Sequence, residues 1–212
     1  MCRPHARAPL GCLLGWLLLS GPAARADLTL DSDPASDLEV TVSLDAAAES
    51  GRARASELIH ARPEVIAGLI RSCSETLKIV PGLSECRVLA SAPDGSWQIV
   101  RQVEEHWLLP KLTYDFRCTW ENPRRVRMER VGGDLRVLEG SWQLDPDHDG
   151  TRVHYDVDVA PGFWVPHWMV KLALRHDLPK MLRALRSRAE TLELEQRATA
   201  SASSASLPGP LP

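Results

Sequence analysis

Hydrophobic and polar residues alternate along two long segments in the second half of the chain. In residues 111–120 every second residue is apolar, and the others are charged or threonine. Residues 151–159 alternate in the same way. A period of two residues is typical of a β-strand with one buried face. The apolar face of the first segment is largely aromatic and consists of Leu112, Tyr114, Phe116, Cys118 and Trp120.

Groups of turn-forming residues divide this part of the chain into consecutive extended segments with short connections. Parallel strands need crossovers of roughly a dozen residues or more, so short connections predict an antiparallel meander. The turns are predicted at residues 93–95, 122–123, 132–134 and 146–150.

The segment DPDHDGTRVHYD, residues 145–156, also has the carboxylate spacing of an EF-hand calcium loop. Such a loop is flanked by helices and usually has an aliphatic residue at its eighth position, which is Arg152 here. The second half of the segment already alternates as a strand. We therefore interpret residues 147–150 as a hairpin turn, because Asp and Gly accept the backbone angles that turns require. A calcium site remains the alternative.

Two regions have helical patterns. Pro63 and Glu64 suit the first turn of a helix that follows an extended segment and ends before residues 81–82. A longer helical region lies near the C-terminal end. Its apolar residues before and after Pro179 point in different directions at 100° per residue. We predict a kink or break near Pro179, because proline removes one helical hydrogen bond and clashes with the preceding turn.

Both ends of the chain differ from its patterned middle. Residues 1–26 combine arginines, an apolar run and a small-x-small cleavage pattern, which is typical of a secretory signal peptide. Residues 27–36 are predicted as a linker. Residues 197–212, RATASASSASLPGPLP, hold too little apolar surface to fold and are predicted as a disordered tail. We expect one folded domain at residues 37–196.

The predicted export changes the charge and the redox setting. Without residues 1–26 the chain has 22 basic and 28 acidic residues, a formal charge of −6, which disfavours nucleic acid as a partner. We expect a periplasmic or extracellular protein. The exported part keeps Cys73, Cys86 and Cys118. In an oxidising compartment Cys73 and Cys86 can form a disulfide. Buried free thiols are our default expectation.

Signatures of enzymes are scarce in this sequence. It lacks the phosphate-binding glycine loop, the H-E-x-x-H zinc motif and the G-x-S-x-G elbow, so we expect neither a cofactor nor a metal. Histidine can act as a general base because its pKa is near neutrality. His176 falls on the apolar stripe of the last helix, and His106 shares a strand face with Glu104 but not with Glu105. For His176, and for His106 and Glu104 on the strand, an ordinary polar surface position is the alternative.

Five short segments carry a resemblance to a known family: ARPEV at residues 61–65, IVPGL at 79–83, GSWQL at 140–144, GTRVHY at 150–155 and PGFWVP at 161–166. In this order and spacing they closely resemble the START-like polyketide cyclase/dehydrase and lipid-transport superfamily (SRPBCC), in particular its coenzyme Q-binding type. The resemblance covers residues 38–190. It implies an α+β helix-grip fold, in which a curved antiparallel sheet wraps round a long C-terminal helix and the ligand lies between them.

Aromatic residues are concentrated on the predicted strands and at the start of the last helix, which fits an apolar cavity with a few polar tips. Members of the superfamily bind sterols, phospholipids, isoprenoid quinones or polyketides. We therefore predict a non-catalytic carrier of a hydrophobic small molecule: a lipid, an isoprenoid quinone or a polyketide-like compound. The predicted lining consists of Trp107, Tyr114, Phe116, Trp142, Tyr155, Trp168, Leu172 and His176.

Two other functions remain open at this point. Some members of the superfamily catalyse cyclisation or dehydration, so the chain is alternatively an enzyme with His176 or His106 as acid or base. It is also compatible with a membrane-associated accessory protein whose groove receives an apolar segment of a partner. Phe163, Trp164 and Trp168 flank the predicted entrance, and their aromatic character is typical of residues at a membrane interface.

Overall fold

The computed structural model describes residues 37–45, 50–105 and 110–205. The predicted signal peptide (1–26) and linker (27–36) lie outside the described residues. The strands in the described part are β1 Glu39–Asp45, β2 Ser50–Ile59, β3 Leu83–Ser91, β4 Trp97–Glu104, β5 Leu112–Asn122, β6 Arg125–Gly133, β7 Leu135–Asp147 and β8 Gly150–Pro161. The helices are α1 Pro63–Arg71, α2 Cys73–Ile79 and α3 His167–Ala205.

All these strands form one antiparallel sheet, in the order β1-β2-β8-β7-β6-β5-β4-β3. The predicted meander from β3 to β8 is confirmed, since each strand pairs with the next along the chain. Register shifts interrupt the pairs β3–β4, β5–β6 and β7–β8. Such bulges bend and twist strands. The curved sheet and the long helix give the predicted helix-grip α+β fold.

The hairpin predicted at residues 147–150 is also confirmed. His148 and Asp149 form the turn between β7 and β8. Gly150 has a φ of 155°, and a Cβ atom there would lie 2.1 Å from the carbonyl oxygen of Ile59. Glycine is therefore required where β8 starts beside the end of β2.

The helix predicted to begin at Pro63 is confirmed, with the proline in its first turn and Glu64 following it. It is divided, however, into α1 and α2. Ser72 has an extended backbone, which ends α1, and its hydroxyl accepts a hydrogen bond from the Glu75 amide at the start of α2. Serine is a preferred residue at this position because it satisfies an otherwise unpaired amide.

Helix α3 continues through Pro179, so the predicted break does not occur; a kink within the continuous helix stays a prediction. The helix extends to Ala205, and residues 197–205, which we predicted as part of a disordered tail, are therefore helical. Residues 206–212 lie outside the described residues. Among the helices of the described segments, none is long and apolar enough to cross a membrane.

One apolar stripe of α3 faces the sheet along its whole buried length. Its buried members, Val170, Leu178, Leu182, Leu185 and Ala189, repeat at intervals of three, four and eight residues. These intervals keep side chains on the same helical face. The predicted change of direction arose because Trp168 and Leu172 were assigned to the buried face, whereas both are exposed.

Helix α2 is short and is attached to its neighbours through a few residues. Arg188 of α3 donates to Glu75 over 2.7 Å. Hydrogen bonds from Arg188 and then Lys78 lower the pKa of Glu75 to about 2, which keeps this carboxylate ionised at neutral pH. On the other side, Cys73 forms a disulfide with Cys86 of β3, with 5.2 Å between the Cα atoms.

The default expectation of free thiols is therefore wrong for Cys73 and Cys86, because the packing of α2 against β3 brings them within bridging distance. Cys118 is free and buried on the apolar face of β5, and burial raises its thiol pKa to about 12.

Three arginines of β6, Arg125, Arg127 and Arg130, form ion pairs or hydrogen bonds within the sheet. Arg125 and Arg127 both form ion pairs with Glu121. Arg130 donates to the backbone carbonyls of Gly133 and Leu135. These side chains link β6 to β5 and β7.

Candidate ligand-binding site

Two cavities lie between the concave face of the sheet and the helices. Chamber 1, of about 140 Å³, lies beneath α1 and α2 and beside the middle of β4, β5 and β7. Chamber 2, of about 190 Å³, lies beneath the first half of α3 and beside β7 and β8. Met181 of α3 borders both of them.

The walls of the two chambers differ in chemistry. Chamber 1 has four aromatic residues, Tyr114, Phe116, Trp142 and Tyr155, together with polar side chains that include Thr76, Gln98 and Gln102. Chamber 2 is mainly aliphatic and includes Leu135, Leu138, Val157, Val170, Leu174 and Leu178. It shares Glu104, Tyr114 and Tyr155 with chamber 1 and also includes Asp177. A polar group therefore finds hydrogen-bond partners mainly in chamber 1.

The buried hydroxyl of Tyr114 is the centre of a polar cluster. Tyr114 lies directly opposite Gln102 in the β4–β5 pair, and its hydroxyl is 2.9 Å from Gln102 Oε1. The same hydroxyl donates to Glu104. Because a phenol has one proton, it can donate to only one of these oxygens at a time. Burial, followed by the charge of Glu104, raises the pKa of Tyr114 well above its usual value, so Tyr114 is a neutral donor.

The close approach of β6 to Tyr114 depends on a glycine. Gly133 is the Cα partner of Tyr114 in the β5–β6 pair and has a φ of 87°. A Cβ atom at this position would lie 2.5 Å from the Cα atom of Tyr114. The absence of a side chain at Gly133 therefore allows the backbone to pack directly behind the polar cluster.

Tyr155 supplies a second polar tip. It is the direct cross-strand partner of Trp142, and the two rings lie 4.2 Å apart between centroids. This contact fixes the ring of Tyr155 at the wall shared by both chambers. No hydrogen bond joins its hydroxyl to another of the described residues. Burial raises the pKa of Tyr155, so its hydroxyl is a neutral group that can donate to or accept from a ligand.

The disulfide is part of the same site. Cys73 and Cys86 line chamber 1, and so do Thr76 and Ile79 from the inner side of α2. Helix α2 is thus one wall of the chamber, joined covalently to the edge strand β3. Within residues 37–45, 50–105 and 110–205, no group of three or more His, Cys, Asp and Glu side chains is arranged to hold a metal ion.

Residues 59–186, which include both chambers' walls, match the family described as polyketide cyclase/dehydrase and lipid transport. This chain belongs to that family. The resemblance to the START-like superfamily is thereby confirmed. No curated protein matches the chain by sequence.

Solved structures of the superfamily share its fold. A STAR-related lipid transfer protein from Xanthomonas axonopodis is 19% identical, with a TM-score of 0.64 over 76% of this chain and 96% of the other. The lipid transfer and protein localization domain of human StarD13 is 15% identical, with a TM-score of 0.61 over 77% and 88%. The Zhui aromatase/cyclase from Streptomyces sp. R1128 is 12% identical, with a TM-score of 0.54 over 70% and 96%.

In this lipid-transport and cyclase fold, four of the predicted lining residues do border the chambers: Tyr114, Phe116, Trp142 and Tyr155. They lie on β5, β7 and β8, at positions where alternation directs the side chain to the concave face. Trp107 and His106 lie outside the described residues.

The three predicted lining residues on α3 border neither chamber and are corrected. Trp168 and Leu172 are 59% and 42% exposed. His176 is also at the surface, where Lys180 Nζ donates to its Nε2 over 2.9 Å and its Nδ1 lies 2.8 Å from Asp177 Oδ1. The physical reason is the orientation of α3, which turns Val170, Leu174 and Leu178 toward the sheet instead.

Sequence reasoning missed the polar residues of β4 that border the chambers. We gave a strand-surface position as the alternative for Glu104, yet Glu104 borders both chambers and accepts a hydrogen bond from Tyr114. Gln102 is buried two residues before it. The period of two was the available signal, because it places Gln98, Gln102 and Glu104 on one face.

Proposed function

We propose that this protein binds and carries a hydrophobic small molecule in the space between the sheet and α3. The observation that carries this proposal is the pair of chambers, whose apolar walls hold only a few polar tips. Burial of a ligand chain contributes roughly 0.8 kcal/mol per methylene, so such walls suffice for micromolar binding. Membership of a lipid-transport family and the fold shared with lipid transfer proteins support the same function.

The test is to identify what the purified protein contains and to measure displacement of a fluorescent fatty acid. We expect apolar molecules in the organic extract by mass spectrometry and micromolar binding of the probe. Ala173→Trp, which fills chamber 2, is expected to weaken the probe roughly tenfold or more through loss of buried methylenes. Its matched control is Ala200→Trp, on the exposed end of the same helix. Recovery of no apolar molecule together with no probe binding would contradict the proposal.

A second candidate function is an enzyme of the cyclase or dehydrase kind. It is favoured by one observation, the Glu104 carboxylate held against the Tyr114 hydroxyl at the wall of both chambers. A carboxylate in this position can accept a proton from a bound substrate. Glu104→Gln separates the two functions when turnover of a polyketide-like compound and its affinity are measured together. A carrier loses affinity at most, whereas an enzyme loses turnover with affinity retained.

We propose further that the ligand is of the isoprenoid quinone kind and that the protein acts in the periplasm or outside the cell. The aromatic wall of chamber 1 supports a flat ligand ring. The signal-like pattern of residues 1–26 and the disulfide support export into an oxidising compartment. Mass measurement of the protein recovered from a secreting host should show a chain that begins at Asp27. A cytoplasmic chain that retains residues 1–26 would contradict export.

Exposed aromatic residues beside chamber 2 support a peripheral membrane contact. Trp164 and Trp168 are 83% and 59% exposed, and Leu172 follows on the same side of α3. We expect Trp164→Ser with Trp168→Ser to reduce co-sedimentation with anionic vesicles several-fold, because interfacial tryptophans anchor proteins to the headgroup region. Leu194→Ser, at an exposed position near the other end of the helix, is the matched control. Equal vesicle binding by all three proteins would rule out this contact.

A further inference from the structure

The two chambers share part of their walls. Five residues border both: Val80, Glu104, Tyr114, Tyr155 and Met181. Tyr114 is held by its hydrogen bond to Glu104, and Tyr155 is held against Trp142. Met181 is unbranched and has several rotatable bonds, so it can change rotamer at low cost. Met181 is thus the member of the shared wall whose movement would join the two spaces.

Each chamber alone is smaller than the usual small-molecule site of roughly 300–1,000 Å³. Their chemistries are complementary, since one is aromatic with polar tips and the other is aliphatic. A ligand that used both would need a compact polar ring and a single apolar chain.

We propose that chambers 1 and 2 are two ends of one binding site for such a single-chain amphiphile, with the ring in chamber 1 and the chain passing Met181 into chamber 2. This inference rests on the proposed carrier function and adds the ligand's shape and orientation to it. Thr76, Gln98 and Gln102 border chamber 1 and not chamber 2, and they can bind the polar group. The opposite orientation would place that group mostly against Leu135, Leu138 and their aliphatic neighbours, where fewer polar side chains can bind it.

A series of 4-alkylphenols with increasing chain length tests this arrangement by calorimetry. For the wild type, affinity should rise about fourfold per added methylene until chamber 2 is filled. Met181→Trp narrows the passage, so it should abolish this gain, measured relative to 4-methylphenol bound by the same variant. Met169→Trp is the matched control, because Met169 lies on the same helix and borders neither chamber. It should retain the gain with chain length.

Two further arms cover the possibility that Met181→Trp fails to fold. Ala173→Trp should make affinity, measured relative to 4-methylphenol in the same variant, level off at a shorter chain, because it fills chamber 2 beyond the passage. Alkylbenzenes, which lack the hydroxyl, should bind the wild type roughly fivefold more weakly than the matched alkylphenols because one hydrogen bond is lost.

The outcomes distinguish this inference from the proposed function. A persistent gain with chain length in both folded tryptophan variants, or equal affinity for alkylbenzenes and alkylphenols, would overturn the arrangement while the carrier function stands. Binding of the fluorescent fatty acid without binding of any alkylphenol would do the same. If neither the fatty acid nor any alkylphenol bound the wild type, the carrier function itself would be contradicted.

Discussion

Replacement of Leu182 by alanine is expected to lower the free energy of unfolding by roughly 2–5 kcal/mol. Leu182 lies in the middle of the buried stripe of α3 and is only 1% exposed. The substitution removes apolar contacts with the core and leaves a cavity that the surrounding sheet can fill only in part. Urea unfolding followed by tryptophan fluorescence gives the change directly, provided that the slope of the transition is unchanged.

Leu194→Ala is the matched control for this substitution. It makes the same chemical change on the same helix, but Leu194 is 66% exposed. Surface substitutions usually change stability by about 0.5 kcal/mol or less, so the two variants should differ clearly. Equal stability of the two variants would mean that the sheet does not enclose α3 at Leu182.

Loss of the disulfide between Cys73 and Cys86 is expected to cost about 3 kcal/mol, because the bridge closes a short loop and restricts the unfolded chain. The two cysteines are 13 residues apart and join α2 to β3. The measurement is urea unfolding of Cys73→Ser with Cys86→Ser, compared with the wild type before and after treatment with dithiothreitol.

Treatment of the double variant with dithiothreitol is the control for this prediction. Reduction should bring the wild type close to the stability of the variant, and it should leave the variant unchanged. A variant as stable as the oxidised wild type would show that the bridge contributes nothing to the fold. A further difference is expected in chamber 1, whose wall includes both cysteines: exchange of the fluorescent fatty acid should become faster when α2 is no longer joined to β3.

Local patterns in the sequence were sufficient for most of the fold. The strands β5 and β8 could be predicted because one face of each is apolar and the other is polar, and the β7–β8 turn because Gly150 marks it. The division of α1 from α2 could not be predicted in this way. It depends on the backbone of a single residue, Ser72, whose sequence context also fits a continuous helix.

The candidate site was predictable on the strands and not on the helix. Tyr114 and Tyr155 follow the period of two, which leaves only two directions for a side chain. On α3 a side chain can point in any direction about the helix axis. Trp168 was assigned to the inner face because it is large and aromatic. Hydrophobicity alone does not distinguish a core residue from one at an exposed edge. The pairing of Cys73 with Cys86 could not be decided from the sequence either, since it depends on the distance between the two residues in the folded protein.

The buried position of Cys118 bears on how reliably Cys73 pairs with Cys86. Because burial raises the pKa of the Cys118 thiol to about 12, this thiol stays protonated at pH 7 and is a poor nucleophile. Thiolate attack is the route by which native bridges are scrambled and by which odd cysteines form covalent dimers. The folded protein therefore carries the free thiol of Cys118 without exposing the bridge between Cys73 and Cys86 to thiolate exchange.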